Sequence, residues 1–202
     1  MKLIGDEHIS PKIVKAVCEI ALTGVRSSRY KFAICKFFPH ITLSNLLHAG
    51  LGVRMTVGVM DAANRLSEIS RRRLSNLQLQ KILYMADMNL VGRDGIRLVD
   101  ENFEAWDYGP VLPSLYHRCK AFGAKPVPNV FWDAKDISGT TENDMLALAW
   151  DRLRNSTPGQ LVANTHSGDG AWVRRYVPGA RDRKITTQDM ISEYERLKNQ
   201  VA

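Results

Sequence analysis

Residues 77–123 read LQLQKILYMADMNLVGRDGIRLVDENFEAWDYGPVLPSLYHRCKAFG, and the rest of the chain is organised around this stretch. Its first part repeats leucine, isoleucine and alanine at the spacing of one helix face. Ser75 and Gln78 stand three positions apart in the pattern of a capping box, so we expect the helix to start near Asn76. We expect Gly92 to end it. The stretch therefore opens with an amphipathic helix that offers one face to a core.

The second part of the stretch is aromatic and contains two prolines. Residues 104–111, EAWDYGPV, alternate like a short edge strand, and we expect a turn at Gly109-Pro110. Pro113 suits the first position of a second helix over 113–122, which Gly123 closes. The whole stretch predicts a helix–loop–helix unit whose connection is shaped by aromatic residues and prolines.

The chain of 202 residues is long enough for one good-sized core, or for one domain with an appendage. Another helix is expected at 59–69. Three more are expected to begin at Thr141-x-x-Asp144, at Thr157-Pro158 and at Thr186-x-x-Asp189. The segment 167–183 reads as a loop, and we expect the Trp132 ring to cover the core from outside.

These patterns predict a mainly α fold. We expect a single compact helical domain of five or six helices with a small strand element over residues 56–202. Residues 1–55 are expected to form an N-terminal appendage with an α/β-like start, in which a short strand at 1–9 precedes a helix begun by Ser10-Pro11.

The charge is unevenly distributed along the chain. The net charge is +7, and residues 1–55 account for +5 of it with eight basic and three acidic residues. The larger part of the chain is therefore close to neutral, whereas a nucleic-acid-binding face concentrates positive charge on one surface. Arg71, Arg72 and Arg73 form the tight basic cluster of the main domain. We expect nucleic acid to be an unlikely partner for this domain.

The three cysteines, Cys18, Cys35 and Cys119, are widely spaced and form no CxxC pair. This pattern fits reduced thiols in a cytosolic protein better than a disulfide framework or a zinc site. The chain opens MKLIGDEH, which turns acidic before an apolar run develops, and no run approaches the roughly 20 apolar residues of a membrane span. We therefore expect a cytoplasmic protein with no membrane partner.

Candidate catalytic groups are present, but their spacing argues against chemistry. His117 and Cys119 are two positions apart on a predicted helix, so their side chains point to different faces. His166 ends a short helix beside a glycine-rich loop, where a structural hydrogen bond is favoured over catalysis. The acidic residues of the central loop lack the spacing of a calcium-binding loop: Asp94, Asp100, Glu101, Glu104 and Asp107. We expect no catalytic residues, no metal and no cofactor.

The aromatic cluster supports a different function. Trp106, Tyr108 and Tyr116 gather with Phe103 and Phe122 around the two prolines. They form a small core between the two helices, or part of the cluster stays exposed as a protein-binding surface, since Tyr and Trp are enriched at interface hot spots. Both interpretations can hold together. The candidate partner-binding residues are Trp106, Tyr108, Gly109, Pro110, Pro113 and Tyr116.

Residues 79–116 carry a specific resemblance. The pattern LQK-x-LY-x-A, followed by FEAW-x-YGPV-x-P-x-x-Y, resembles the signature of the Panacea domain family, which includes the SocA-type antitoxins. The later THSGDGAW and ITTQDMISEY also resemble the C-terminal part of that family, so the resemblance covers roughly residues 60–196. Residues 1–55 lie outside the family pattern.

The resemblance implies an antitoxin that neutralises a cognate toxin by direct binding. Members of the family pair with unrelated toxins, and the SocA-type branch implies a second mode, in which the antitoxin acts as a proteolytic adaptor and delivers the toxin to an ATP-dependent protease. Three alternatives stay open. The opening KLIGDEHISPKIVKAV resembles the start of PIN-like ribonuclease toxins, in which Asp6 would bind metal; a small hydrolase would use His166; and a DNA-binding autoregulator would use Arg71–Arg73.

Overall fold

The computed structural model of the chain describes residues 56–201. The expected strand and helix of the N-terminal appendage, and Asp6 with them, lie outside the described residues. The division of the chain after residue 55 stays a prediction. Within the described part, seven α-helices and one two-stranded sheet surround a common core, which confirms the predicted mainly α fold.

The helices are numbered here in chain order. They are α1 Val59–Ile69, α2 Asn76–Asp94, α3 Pro113–Cys119, α4 Thr141–Leu153, α5 Pro158–Thr165, α6 Ala171–Arg175 and α7 Thr187–Val201, with a 3₁₀ turn at Lys120–Phe122 after α3.

Helix α2 lies at the centre of the fold. It packs against α1, α3, α4, α5, α7 and the sheet. Twelve of its nineteen residues are buried, including four polar or charged side chains in its middle: Gln80, Lys81, Tyr84 and Asp87. A helix buried on most sides has no solvated face on which to place polar groups, so these four need partners inside the protein. This requirement determines how the neighbouring segments attach to α2.

The start of α2 follows the sequence prediction and its end does not. Ser75 Oγ accepts a hydrogen bond from Gln78 N, and the Gln78 side chain accepts one from Ser75 N, which confirms the capping box. The prediction that Gly92 ends the helix is wrong, because α2 continues to Asp94 and is capped by Gly95 in the left-handed region. A Cβ on Gly92 would lie 2.1 Å from Cγ of Tyr194 on α7. The glycine therefore permits close packing of two helices.

The sheet is a β-hairpin between α2 and α3. Strand β1, Glu104–Trp106, pairs antiparallel with β2, Gly109–Val111, so that Trp106 lies opposite Gly109. The two-residue turn is Asp107-Tyr108, which corrects the predicted turn at Gly109-Pro110. Gly109 has a φ of +94°, a left-handed conformation that glycine adopts without strain, at the point where the chain returns.

Helix α6 falls within the segment that reads as a loop, so residues 56–201 contain one helix more than the upper end of the predicted five or six. Its first backbone N–H, that of Ala171, donates to Oε2 of Glu193 on α7 at 3.0 Å. Ala171 and Trp172 are buried against the core. A five-residue helix stabilised by a carboxylate from a distant helix leaves no recognisable local pattern.

Three smaller expectations about α4, α5 and α7 can be compared directly. The capping residue of α4 is Thr140 rather than Thr141, because Thr140 Oγ1 accepts from Asn143 N at 3.1 Å. The cap of α5 by Thr157 is confirmed, as is the pairing of Thr186 with Asp189 at the start of α7.

Candidate functional site: a pocket beside the β-hairpin

The polar side chains of α2 hold the hairpin in place. Gln80 makes two bonds with Leu112, because its side-chain oxygen accepts from Leu112 N at 2.8 Å and its Nε2 donates to Leu112 O at 3.3 Å. The next residue, Lys81, donates from its Nζ to Pro110 O at 2.9 Å. The return strand and the start of α3 are therefore attached to α2 through side chains rather than through a wider sheet.

Two further polar residues of α2 fix the other neighbours. Tyr84 donates its hydroxyl hydrogen to Glu193 on α7, the same carboxylate that accepts from α6. Asp87 is fully buried, forms an ion pair with Arg97 at 2.7 Å and accepts from Leu98 N at 2.6 Å. Burial raises the pKa of Asp87, and the hydrogen bond and charge of Arg97 oppose that effect. These bonds tie α7 and the loop after α2 to the central helix.

Lys81 is the most unusual group in this arrangement. It is 1% exposed, and Pro110 O is the hydrogen-bond acceptor that its Nζ contacts. Burial lowers the pKa of Lys81 from 10.5 to about 7, because the charged amine loses its hydration. Gly109 makes room for the amine, since a Cβ there would lie 2.9 Å from Nζ. A larger residue at position 109 would displace either the lysine or the hairpin.

The hairpin carries aromatic side chains in its turn and just before it. Trp106 is half-buried, packs edge-on against Tyr116 with ring centroids 4.9 Å apart, and donates its indole N–H to Glu104 Oε2. The guanidinium of Arg181 lies over the Trp106 ring, 4.4 Å from its centre. Tyr108 is different, since 72% of it is exposed to solvent. One tyrosine at the tip is therefore presented outward while the tryptophan beside it is packed.

These groups surround one pocket of about 330 Å³ between the hairpin, α2 and the segment before α7. Its lining combines aromatic rings with cationic and amide side chains. The lining residues are Asn76, Leu77, Gln80, Lys81, Trp106, Asp107, Tyr108, Val111, Tyr116, Lys120, Gly123, Gly179, Ala180 and Arg181.

The six candidate partner-binding residues divide into two groups. Trp106, Tyr108 and Tyr116 come together as walls of the pocket. Gly109 and Pro110 are buried in β2 and set the backbone position, and Pro113 is half-buried at the first position of α3. Nothing in the structure tests which of them contacts a partner, so their role in binding stays a prediction.

The expected position of Trp132 is wrong. Its side chain is 77% exposed, and the guanidinium of Arg118 lies 5.0 Å from its ring centre. Arg118 also contacts Asp133 at 3.3 Å. The tryptophan therefore packs on a surface arginine and does not cover the core.

The cysteine–histidine pair is not assembled as a catalytic site. Cys119 is buried, and that burial raises the pKa of its thiol to about 11, which disfavours the thiolate. His117 is exposed and contacts Tyr116 edge-on, at 5.6 Å between ring centres. The separation of the two side chains follows from their positions on α3, as the spacing predicts.

His166 lies in an aromatic stack. Its ring is 3.6 Å from that of Trp172 and parallel to it, and Trp172 stacks on Tyr176 at 4.4 Å. Burial, helped by the charge of Lys81, lowers the pKa of His166, and its buried Nε2 contacts no hydrogen-bond partner within residues 56–201. Trp172 Nε1 donates to Trp106 O at 2.8 Å. The histidine therefore packs at one end of a stack that ties α6 to the hairpin.

Across residues 56–201, no three His, Cys, Asp or Glu side chains are grouped as metal ligands, and no helix has the length and apolarity to cross a membrane.

Arg71 and Arg72 both adopt positive φ angles after α1. Arg72 approaches Glu68 at 3.9 Å, and Arg73 donates to Ser70 O. Two of the three arginines thus contact their own helix turn.

Comparison with known proteins finds a family that the central part of the chain resembles. Residues 79–173, which contain the signature residues of α2 and the hairpin, match the family model described as "Antitoxin SocA-like, Panacea domain". This part of the chain is similar to a SocA-like Panacea domain. A curated relative, "Antitoxin SocA" of Caulobacter vibrioides (strain NA1000 / CB15N), is 34% identical over 112 residues. Those residues are 49% of this chain and 58% of the relative, so the match spans little more than half of the relative's length. No solved structure matches the chain.

The structure explains what the residues that resemble the Panacea signature do. Gln80, Lys81 and Tyr84 are buried, and each donates or accepts a hydrogen bond that attaches another segment to α2. Phe103 is also buried and packs edge-on against Tyr84. Most of the signature is therefore scaffold, and Tyr108 is the large signature side chain that faces solvent.

Sequence reasoning missed several residues of the pocket. Gln80 and Lys81 could have been noticed in the sequence, because these two polar residues lie between the apolar residues Leu79 and Ile82 of a core-facing helix. Lys120, Ala180 and Arg181 carried none, because they meet the hairpin only through the tertiary fold.

Proposed function

We propose that this chain is the antitoxin of a toxin–antitoxin system and neutralises a cognate toxin by direct protein–protein binding. The family match and the name of the curated relative support this function. The matched residues include every lining residue of the pocket between Gln80 and Tyr116, but not Asn76 and Leu77. The proposed contact surface is the hairpin tip with the aromatic wall of the pocket.

The observation on which the surface depends is the exposure of Tyr108. The Tyr108 side chain is 72% exposed, so most of its ring is in contact with water. The backbone of the return strand beneath it is fixed by buried hydrogen bonds to α2. A rigidly mounted aromatic side chain loses little conformational entropy on binding, which is why Tyr and Trp are frequent hot spots. Trp106, packed beside it, extends the same aromatic surface.

The experiment is co-expression with the gene adjacent to this one. The antitoxin should restore growth of cells that express the neighbouring toxin, and the two proteins should co-purify. Failure of both results would reject the proposal. Tyr108→Ala should lose rescue while its melting curve stays unchanged, because the side chain makes few contacts within the domain.

The matched control is Trp132→Ala, which removes an exposed aromatic side chain outside the pocket. This variant should keep full rescue. Loss of rescue in Trp132→Ala with rescue intact in Tyr108→Ala would place the toxin-binding surface elsewhere on the domain.

The proposal extends to the fate of the bound toxin. The resemblance to SocA-type antitoxins supports an adaptor role, in which the antitoxin delivers the toxin to an ATP-dependent protease of the cytoplasm. Toxin half-life should then shorten when the antitoxin is present and lengthen again when the protease is inactivated. If the toxin half-life is the same with and without the antitoxin, the adaptor role is rejected and the antitoxin acts by binding alone.

A further inference from the structure

The pocket beside the hairpin has an unbalanced charge. Three cations line it, namely Lys81, Lys120 and Arg181, against one carboxylate, that of Asp107. Within residues 56–201, none of the three cations lies within ion-pair distance of a carboxylate. Asp107 instead accepts a hydrogen bond from the Tyr176 hydroxyl at 3.0 Å. The pocket therefore attracts a negative group that the described domain does not supply.

Lys81 is the most deeply buried of the three cations. An ammonium has three N–H donors, and Lys81 uses one of them on Pro110 O. Its pKa falls to about 7 through burial alone, with no anion nearby to stabilise the charged form. An anion in the pocket would provide the missing partner and favour the protonated amine.

The volume of the pocket and its other lining residues favour a carboxylate as that anion. The volume of about 330 Å³ is at the small end for a ligand pocket and suits one side chain or a chain terminus. Arg181 has one face on the Trp106 ring, which leaves the edge of its guanidinium to bind a planar carboxylate. Asp107 on the rim disfavours a doubly charged phosphate more than a singly charged carboxylate.

We propose that this pocket binds a carboxylate of the partner polypeptide, held by Lys81, Lys120 and Arg181 against the aromatic wall of Trp106 and Tyr116. The inference rests on the proposed function for the identity of the partner as a protein. The carboxylate belongs either to an acidic side chain or to the C-terminus of that protein, and the two sources share the same chemistry.

The first experiment tests the pocket without any partner. The indole N–H resonance of Trp106, assigned by its loss in Trp106→Phe, is followed in the full chain during titration. The probes are N-acetylphenylalanine for a chain terminus, N-acetylglutamic acid α-amide for a side chain, and N-acetylphenylalanine amide as the neutral control. At least one of the two acids should shift the resonance saturably at millimolar concentration, and the amide should not.

Inorganic phosphate is the competing anion in the same titration. Binding of the neutral amide as tightly as the acids, or of phosphate more tightly than both acids, would overturn the proposal, as would the absence of saturable binding by either acid. The stronger of the two acids identifies the source of the carboxylate.

Substitution of cations inside and outside the pocket tests which side chains hold the acid. Lys120→Gln and Arg181→Gln should each weaken binding of the acid about tenfold, the loss typical of one charge-assisted contact. Lys125→Gln, which removes an exposed lysine five positions further along the chain and outside the pocket, should leave it unchanged. Equal affinity in all three variants would overturn the proposal.

The second experiment uses the toxin. The double variant Lys120→Gln/Arg181→Gln should lose co-purification and growth rescue, while Lys125→Gln retains both. If the wild-type chain itself fails to bind or rescue, the proposed function fails and the probe titration still decides the pocket. If the acids bind but the double variant keeps full toxin affinity, the proposed function stands and the carboxylate inference is overturned.

Discussion

Replacing Lys81 with methionine should change how the stability of the domain depends on pH. The amine is 1% exposed, and its pKa falls from 10.5 to about 7 in the folded chain. Below pH 7 both the folded and the unfolded chain hold the proton, so stability does not change with pH through this group. Between pH 7 and pH 10.5 the unfolded chain holds a proton that the folded chain has released. The free energy of unfolding therefore rises with pH across that interval.

The magnitude follows from the size of the shift. Each pH unit within the interval contributes up to about 1.4 kcal/mol, and partial protonation near pH 7 reduces the first unit. Between pH 7 and pH 9 the wild-type chain should gain about 2 kcal/mol relative to Lys81→Met. Methionine is close to lysine in length and carries no charge, so the variant should lack this dependence. Its loss of the bond to Pro110 O shifts the whole curve and not its slope.

Urea unfolding followed by tryptophan fluorescence measures the effect. All four tryptophans lie within residues 106–172, so the signal reports on the described domain. The difference between the two free-energy curves cancels the contributions of titrating groups that do not sense Lys81. His166 does sense it, but its pKa is lowered from 6.5 and so lies below the interval from pH 7 to pH 9. Lys120→Met is the control for replacing a lysine with methionine, because the Lys120 side chain is exposed in the folded chain. Parallel curves for the wild type and Lys81→Met would refute a desolvated amine at position 81.

Three further substitutions test the attachments of α2. Asp87→Ala leaves its arginine partner and a backbone N–H unsatisfied, and should destabilise the domain by about 3–5 kcal/mol in urea unfolding; a loss under 1 kcal/mol would contradict a buried ion pair. Gly92→Ala places a Cβ 2.1 Å from the Tyr194 ring and should lower the melting temperature, whereas unchanged melting would mean that α2 and α7 pack less closely. Tyr84→Phe removes a donor to the buried Glu193 and should cost about 1–3 kcal/mol. Wild-type stability in that variant would show that Glu193 finds another donor.

The parts of the fold that could be predicted are those with local causes. The capping box at Ser75 and Gln78 depends on residues three positions apart, and it appears as expected. The burial of Cys119 and the exposure of His117 follow from helical spacing alone. The mainly α fold follows from repeated apolar faces, which need only the periodicity of the chain.

The errors share a cause in tertiary packing. Gly92 looks like a helix stop, but Tyr194 on a distant helix fills the space that a side chain would occupy. Helix α6 forms because Glu193 supplies an acceptor to Ala171 N, and no local pattern announces that contact. The tight turn at Asp107-Tyr108 has the left-handed Gly109 after it, which sequence reasoning placed within the turn itself.

The candidate site was predictable in part for the same reason. The aromatic residues of the hairpin lie close together in sequence, so their clustering in space required no long-range contact. Arg181 reaches Trp106 from a segment beyond α6, and this contact gives the pocket its cationic wall. The cluster could be named from the sequence, whereas its charge required the fold.

The burial of α2 on most of its sides also has a consequence for amide hydrogen exchange. Backbone amides in the middle of α2 can reach solvent only when the surrounding helices separate, so they should exchange at the rate set by global unfolding. The amides at Asp107 and Tyr108, in an exposed two-residue turn, should exchange through local fluctuation. The exchange rate of the α2 amides is thus an internal reference. In a single exchange experiment, a protein that binds the turn should slow the amides of Asp107 and Tyr108 relative to that reference.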